Sequence, residues 1–202
     1  MIKLYGHPMS TCSRKVLLTL AEKGAPFEFN VVDLMKGEQK QPAHLARQPF
    51  GVVPAIQDGD FELYESRAII RYLDARLPGA SLVPSDLESR ARMDQWMLVE
   101  QCYFSPPAMK AIMNKLMSPA PDAAVIEAGL TGAARALDEA DKRLGETPYF
   151  AGQAFSLADI SWMPYVGYLF AIGAGDQVTS RKNVAAWWGR VSERPSWKKV
   201  NG

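Results

Sequence analysis

Four short groups of residues between positions 10 and 66 combine hydroxyl, charged and backbone donors in an order that could build one cleft. They are the turn Ser10-Thr11-Cys12-Ser13, the loop from Lys36 to Lys40, the dipeptide Val53-Pro54 and the dipeptide Glu65-Ser66. Each group is common by itself. Together they would place helix N-termini, which attract anions, beside a free backbone edge. Such a cleft suits a small peptide that carries a thiol.

A hydroxyl at the start of a helix has a definite use in thiol chemistry, because the thiolate rather than the thiol is the nucleophile. Lowering the pKa of a thiol from about 8.5 by roughly two units requires about 2.7 kcal/mol. One hydrogen bond to a charged group supplies roughly 1.5–3 kcal/mol, and a helix N-terminus adds roughly 0.3–1 kcal/mol. One hydroxyl at the start of the helix would therefore be enough, and the turn offers Ser10 and, one residue along, Thr11. Taken alone, however, the Ser10 turn favours a simple helix cap.

The elements that position these groups are predicted from hydrophobic periodicity and turn signals. A strand at residues 2–5, a helix from the Ser10 turn to Lys23 and a strand at 27–32 form a βαβ unit. Strands at 52–56 and 61–64, which flank Asp58-Gly59, and a helix after Glu65-Ser66 form a ββα unit. The first part of the chain is therefore an α+β domain.

After about residue 84 only helical periodicity remains. We expect breaks at Ser105-Pro106-Pro107 and at residues 118–121, a further helix from about Leu157 and another over residues 184–193. The expected division is an α+β domain at 1–77, a linker at 78–86 and an all-helical domain at 87–202.

Composition excludes several classes of protein. The 202 residues carry 23 basic and 22 acidic side chains, so charge gives no reason to expect binding to nucleic acid or to a membrane surface. Cys12 and Cys102 make a poor disulfide framework, and we see no signal peptide or membrane-spanning run, so the cytoplasm is the expected compartment. His7 and His44 have no partner pattern for a metal or a triad, and no metal is expected.

Several longer motifs resemble those of the soluble glutathione transferases, most closely the phi class and its bacterial relatives. The motifs are Tyr5 to Cys12, Asp33 to Glu38, Gln48 to Ala55 and Glu65 to Ile69, and Ser156-Leu157-Ala158-Asp159-Ile160 resembles the capping motif of that family's helical domain. The resemblance covers essentially the whole chain. It implies a thioredoxin-like first domain with a mixed four-stranded sheet and an all-α second domain.

The resemblance also implies a role for each group. Glutathione would be the co-substrate, with its thiolate held by Ser10 and its cysteinyl backbone paired to Val53 beside a cis Pro54. Glu65 and Ser66 would bind the γ-glutamyl end, and Gln39 and Lys40 the glycyl carboxylate. Two positions depart from the phi pattern, which often has His at Gln39 and Gln at Val52.

Other residues have weaker implied roles. Met9, Thr11, Met109, Met113 and Tyr168, with Tyr165, would line a pocket for a hydrophobic electrophile, although a Met-rich stripe is more often part of a core. Phe50 and the helical surface at residues 84–104 would form a homodimer contact. Cys12 is interpreted as a small packed residue, because a C-x-x-C pattern would need cysteines at positions 10 and 13. Ser156 and Asp159 are expected to be a structural capping box.

The leading hypothesis is therefore a glutathione transferase that conjugates the thiolate to hydrophobic electrophiles. A glutathione-dependent peroxidase or isomerase needs the same activated thiolate and differs only in the second substrate. A non-catalytic carrier of glutathione or hydrophobic ligands could use the same binding residues.

Overall fold

A computed structural model of the protein describes residues 1–201, which form two units. The first contains residues Met1–Ser81 together with the last helix of the described chain, and the second contains Leu82–Arg194. The first unit is a mixed α+β fold, and the second is helical. The fold class expected from the sequence is confirmed.

The sheet of the first unit has four strands. They are β1 (Ile2–Gly6), β2 (Phe27–Val31), β3 (Ala55–Asp58) and β4 (Phe61–Tyr64), in the order β2-β1-β3-β4. β1 is parallel to β2 and antiparallel to β3, and β4 is antiparallel to β3. Gly59 and Asp60 form the two-residue turn of the β3–β4 hairpin, and Gly59 has a positive φ of 62° that suits such a turn.

Two long helices pack on this sheet. Helix α1 (Thr11–Glu22) begins after the cap Ser10 and is followed by Gly24 at a φ of +60°. Helix α3 (Ser66–Arg76) follows β4, and the short α2 (Pro42–Leu45) lies before β3. The buried pair Lys23–Asp74, at 3.1 Å, joins α1 to α3.

The second unit contains helices α4 to α9. Their bounds are α4 (Leu87–Val99), α5 (Ser105–Met117), α6 (Ala123–Glu146), α7 (Leu157–Ala171), α8 (Asp176–Thr179) and α9 (Lys182–Ser192). Ser156 and Asp159 form both halves of the predicted capping box at the start of α7, so that prediction is confirmed. None of the helices within residues 1–201 combines the length and hydropathy needed to cross a membrane.

Two expectations about elements were wrong, and one short helix was missed. The chain does not leave the helical state at Ser105-Pro106-Pro107: α4 continues through a π-helical turn, Glu100–Phe104, into α5. Pro106 and Pro107 lie in the first turn of α5, directly after the π-helical turn. The strand expected at 52–56 begins only at Ala55. The short helix α8 was not predicted.

The last described helix, α10 (Pro195–Asn201), was also missed, and the expected boundaries assigned its residues to the helical domain. It packs instead on α1 in the first unit. Trp197 is buried, and the hydroxyl of Ser196 is hydrogen-bonded to the carboxylate of Glu22.

Candidate functional site

The Ser10 hydroxyl lies at the mouth of α1. Its oxygen accepts the N–H of Ser13 at 3.2 Å, as an N-cap does. A hydroxyl has two acceptor lone pairs and one donor hydrogen. Within residues 1–201 the Ser10 hydrogen has no acceptor, so it can donate to an anion while the oxygen still caps the helix.

The turn before Ser10 is fixed by hydrogen bonds of its own. The Ser10 N–H donates to the His7 carbonyl at 2.9 Å, and the His7 N–H donates to Ser13 Oγ at 3.2 Å. Gly6 allows this approach, because a Cβ there would lie 2.8 Å from Ser13 Oγ. The residues at the two positions of a C-x-x-C motif are thus both serines with structural hydrogen bonds.

The segment between α2 and β3 presents an unpaired stretch of backbone. The Val53–Pro54 peptide bond is cis, as the resemblance implied. The N–H and C=O of Val53 have no hydrogen-bond partner within the described chain. One residue with both groups unused can pair with an extended peptide as a neighbouring strand would.

Two side chains that were not predicted to belong to the site form hydrogen bonds to the backbone of Val52, the residue before Val53. His44 is buried, and its Nε2 donates to the Val52 carbonyl at 2.7 Å. Gln48 is also buried, and its Oε1 accepts the Val52 N–H at 3.4 Å. Gln48 lies beyond the end of α2 at Leu45, and its N–H donates to the His44 carbonyl at 2.9 Å. The two side chains together hold both backbone groups of Val52.

The N-terminus of α3 is available to an anion. Glu65 precedes the helix with a φ of +71°, the only positive φ at a non-glycine residue in the described chain, and its side chain does not cap the helix. Such a conformation costs on the order of 1–3 kcal/mol, and it is typical of functional sites. Ser66 is only 3% exposed, and its hydroxyl has no protein partner within residues 1–201.

The Val53 segment and the N-terminus of α3 border one small cavity of about 70 Å³ in the first unit, and Ser10 is not among the residues that line it. It is lined by Cys12, Gln48, Val52, Val53, Pro54, Glu65, Ser66 and Arg67. Four predicted glutathione-binding residues, at positions 53, 54, 65 and 66, are therefore brought together. Cys12 was interpreted as a packed residue, but it is half-buried and lines the cavity. Gln48 and Arg67 were not singled out as binding residues.

The other two predicted glutathione-binding residues, Gln39 and Lys40, do not line this cavity. The Lys40 side chain and the Gln39 backbone carbonyl lie against Gly51 on the neighbouring loop, and Lys40 Nζ donates to the Phe50 carbonyl at 3.2 Å. Gln39 Oε1 is buried and has no hydrogen-bond partner within the described residues. The Lys40 side chain is thus placed near the start of the Val53 segment.

The residues predicted for the electrophile pocket differ in exposure. Met9 and Met113 are exposed, Met109 is half-buried, and Thr11, Tyr165 and Tyr168 are buried. Their lining of a second pocket stays a prediction. Within residues 1–201 no cluster of His, Cys, Asp or Glu side chains is arranged to hold a metal ion.

The N-terminal and C-terminal parts of the chain both match models of one protein family. Residues 1–75 match the family model of the glutathione S-transferase N-terminal domain, and residues 102–195 match that of the C-terminal domain. Glutathione S-transferase F12 of Arabidopsis thaliana is 42% identical, over 98% of this chain and 96% of its own length.

Two solved structures are similar over nearly the whole chain. Poplar glutathione transferase F1 has a TM-score of 0.92 and 43% identity, covering 98% of this chain and 95% of its own. Glutathione S-transferase I from maize, in complex with an atrazine glutathione conjugate, has a TM-score of 0.90 and 34% identity, covering 98% and 95%.

Proposed function

Because this chain belongs to the glutathione S-transferase family, we propose that it transfers the glutathione thiolate to hydrophobic electrophiles, with Ser10 stabilising the thiolate. The observation that carries the proposal is the Ser10 hydroxyl, whose oxygen caps α1 and whose hydrogen has no acceptor within residues 1–201. A thiolate placed there would receive one hydroxyl hydrogen bond and the field of the helix N-terminus.

Glutathione can be placed on the first unit in an orientation that brings each of its charged ends to a group that can bind it. The γ-glutamyl carboxylate binds Ser66 and the N-terminus of α3, and the exposed Glu65 carboxylate faces the ammonium. The cysteinyl backbone pairs with the N–H and C=O of Val53. The glycyl carboxylate then lies toward Gln39 and Lys40, where Lys40 Nζ exchanges the Phe50 carbonyl for the carboxylate.

The reaction is a displacement at carbon. The thiol proton passes to solvent, the sulfur forms a bond to the electrophilic carbon, and a leaving group such as a halide departs with its electron pair. The maize relative that holds an atrazine glutathione conjugate supports this type of reaction. Met9, exposed one residue before Ser10, is our candidate for contact with the electrophile.

The test is a titration of bound glutathione followed by its ultraviolet thiolate absorbance, then turnover with an aryl halide and an organic hydroperoxide. We expect the bound thiol to titrate about two units below the free thiol, and the aryl halide to be conjugated. A bound thiol that titrates as it does in solution would favour the carrier function. Turnover of the hydroperoxide alone would identify a peroxidase.

Ser66→Ala is expected to weaken glutathione binding by roughly 10-fold or more, because a hydrogen bond to a carboxylate is worth about 1.5–3 kcal/mol. The kcat at saturating glutathione should stay near the parent value. Calorimetric titration with glutathione measures the first effect. Ser105→Ala is the matched control, since Ser105 is also a buried first residue of a helix, α5. Equal affinities for all three proteins would remove Ser66 from the site.

We also propose a homodimer in which Phe50 of one protomer contacts helical surface of its partner. Phe50 is 68% exposed, and Leu98 and Tyr103 are exposed in the segment expected to receive it. Phe50→Ala should raise the dimer dissociation constant by about 30-fold or more, because truncating an aromatic anchor costs about 2 kcal/mol or more. Sedimentation velocity over a concentration series measures this. Phe61→Ala, at another exposed aromatic of the same unit, should change nothing.

A further inference from the structure

Arg14 connects the turn before Ser10 to the last described helix. It lies one helical turn after Ser10 on α1, and its Nε donates to the Pro8 carbonyl at 2.8 Å. One terminal nitrogen of the same guanidinium donates to Asn201 Oδ1 on α10 at 2.7 Å, and the other lies 3.8 Å from Met9 Sδ. A single planar group thus joins the adjacent residues Pro8 and Met9 to Asn201, which is far from them in sequence.

The Pro8-Met9 segment is held in part by this group. Both residues are exposed, and Pro8 has no N–H to donate. The Met9 N–H donates to the His7 ring at 3.2 Å. The Arg14 bond to the Pro8 carbonyl therefore adds a side-chain constraint to the bond between the Ser10 N–H and the His7 carbonyl.

Helix α10 in turn fixes the Arg14 side chain. Arginine loses about 2 kcal/mol of rotamer freedom when its side chain is held in one geometry, and its planar fork suits two acceptors at once. Asn201 supplies the second acceptor. α10 itself is held on α1 by the buried Trp197 and by the hydrogen bond of Ser196 to Glu22, so the acceptor stands on a packed element.

We propose that Arg14 is a positioning residue for the thiolate, and that α10 acts through Asn201 to set the position of the Ser10 turn. This inference rests on the proposed function. It gives α10 a part in the transferase site as well as in packing. Met9 is placed by the same group, so the approach of the electrophile is set together with the sulfur.

A plain electrostatic effect of the Arg14 cation would also favour a thiolate, and Arg14→Lys separates the two explanations. Lysine keeps the charge, but it is a point donor without the planar fork. If geometry decides, Arg14→Lys should behave like Arg14→Ala. A parent-like Arg14→Lys would show that charge alone is needed, and would overturn the positioning role.

The deciding experiment compares Asn201→Ala, Asn201→Asp, Arg14→Ala and Arg14→Lys by the thiolate titration of bound glutathione, by kcat and KM, and by thermal melting. We expect Arg14→Ala to lower kcat by roughly 10-fold and Asn201→Ala by several-fold, because small displacements of a catalytic group have effects of this size. Both should raise the pKa of the bound thiol and leave the KM for glutathione within about two-fold. Asn201→Asp keeps an acceptor oxygen and should match the parent.

Two comparisons complete the test. The double variant Arg14→Ala with Asn201→Ala should be no worse than Arg14→Ala, because residues in one network are not additive. Lys199→Ala, at an exposed neighbour on α10, should leave every measurement unchanged. If Arg14→Ala does not fold, the two Asn201 variants decide, since Asn201 is exposed.

The outcomes are distinguishable from failure of the proposed function. A parent whose bound thiol titrates as in solution would remove the proposed function and this inference together. A parent and Ser10→Ala that differ as expected, with Asn201→Ala indistinguishable from the parent, would remove the inference alone. A lower melting temperature in Asn201→Ala with an unchanged thiol pKa would also overturn it, because that result describes a purely structural contact.

Discussion

Replacing Ser10 by alanine is expected to lower kcat by roughly 10- to 1000-fold, the range seen when one oriented donor to an anion is removed. Glutathione affinity should stay within a few-fold, because the peptide is held mainly through Val53 and Ser66. The bound thiol should titrate close to its solution pKa in this variant. Steady-state kinetics with a broad panel of electrophiles and the ultraviolet titration measure the two effects.

Ser10 also caps α1, so the loss of the cap must be separated from the loss of the donor. An N-cap replaced by alanine costs about 0.5–2 kcal/mol of stability. Asp86→Ala is the matched control, because Asp86 caps α4 by accepting the Ser89 N–H at 2.8 Å. We expect a similar loss of stability there and an unchanged kcat. Ser10→Thr keeps the hydroxyl and should recover part of the turnover.

An unchanged kcat in Ser10→Ala would move the thiolate donor elsewhere. Thr11 is the adjacent hydroxyl, but its side chain is buried. A backbone N–H at the start of α1 is the other option. The double variant with Thr11→Val distinguishes them, because it removes both hydroxyls and leaves the backbone unchanged.

The sequence was sufficient for the sheet and for placing Ser10 and Ser66 at the starts of two helices, because both depend on local signals. Asp58-Gly59 and the strands beside it specify the hairpin, and the Ser10 turn specifies the start of α1. Helix α1 ends just before Gly24, because glycine readily adopts the left-handed conformation that terminates a helix. Each of these features is decided by residues within a few positions of one another.

The features that were missed are ones that the local hydrophobic and turn signals do not show. In the sequence His44 is an isolated polar residue. Only the folded chain brings the Val52 carbonyl to its ring. The segment at residues 195–201 has a Pro start and a basic end, and nothing local shows that it packs on α1. The π-helical turn before Ser105 is also invisible, because Pro at a helix start and Pro at a helix break look alike in sequence.

Replacing Asp159 by alanine is expected to have the largest effect on stability, about 3–5 kcal/mol, because it breaks a buried hydrogen-bonded network around a carboxylate. Asp159 is fully buried. Its Oδ1 accepts the N–H of Phe150 at 3.2 Å and of the Trp187 ring at 2.8 Å, and its Oδ2 accepts the N–H and the hydroxyl of Ser156 at 2.8 and 3.0 Å. Alanine would leave these donors unpaired in the core.

Thermal and urea unfolding measure this loss. For a chain of this size each 1 kcal/mol lowers Tm by roughly 2–4 °C, so a fall of about 10 °C is expected. Asp122→Ala is the control: Asp122 caps α6 at an exposed position, with the Ala124 N–H at 2.8 Å, and its loss should cost about 1 kcal/mol. The protein that remains folded should keep a near-parent KM for glutathione. A kinetic defect without a loss of stability would contradict the structural role.

The size of the Asp159 effect should also depend on pH. Burial raises the pKa of Asp159 to about 6, although the hydrogen bonds from Trp187, Ser156 and Phe150 act in the opposite direction. An aspartate in the unfolded chain has a pKa of about 3.9. Between these values the folded protein holds more protons than the unfolded chain, so the stability that this group contributes falls as the pH rises from 4 to 6 and stays low above it. The destabilisation in Asp159→Ala should therefore be larger at pH 5 than at pH 8, by on the order of 1 kcal/mol. An equal loss at both values would mean that the four donors hold the carboxylate ionised throughout, and that its pKa is not raised.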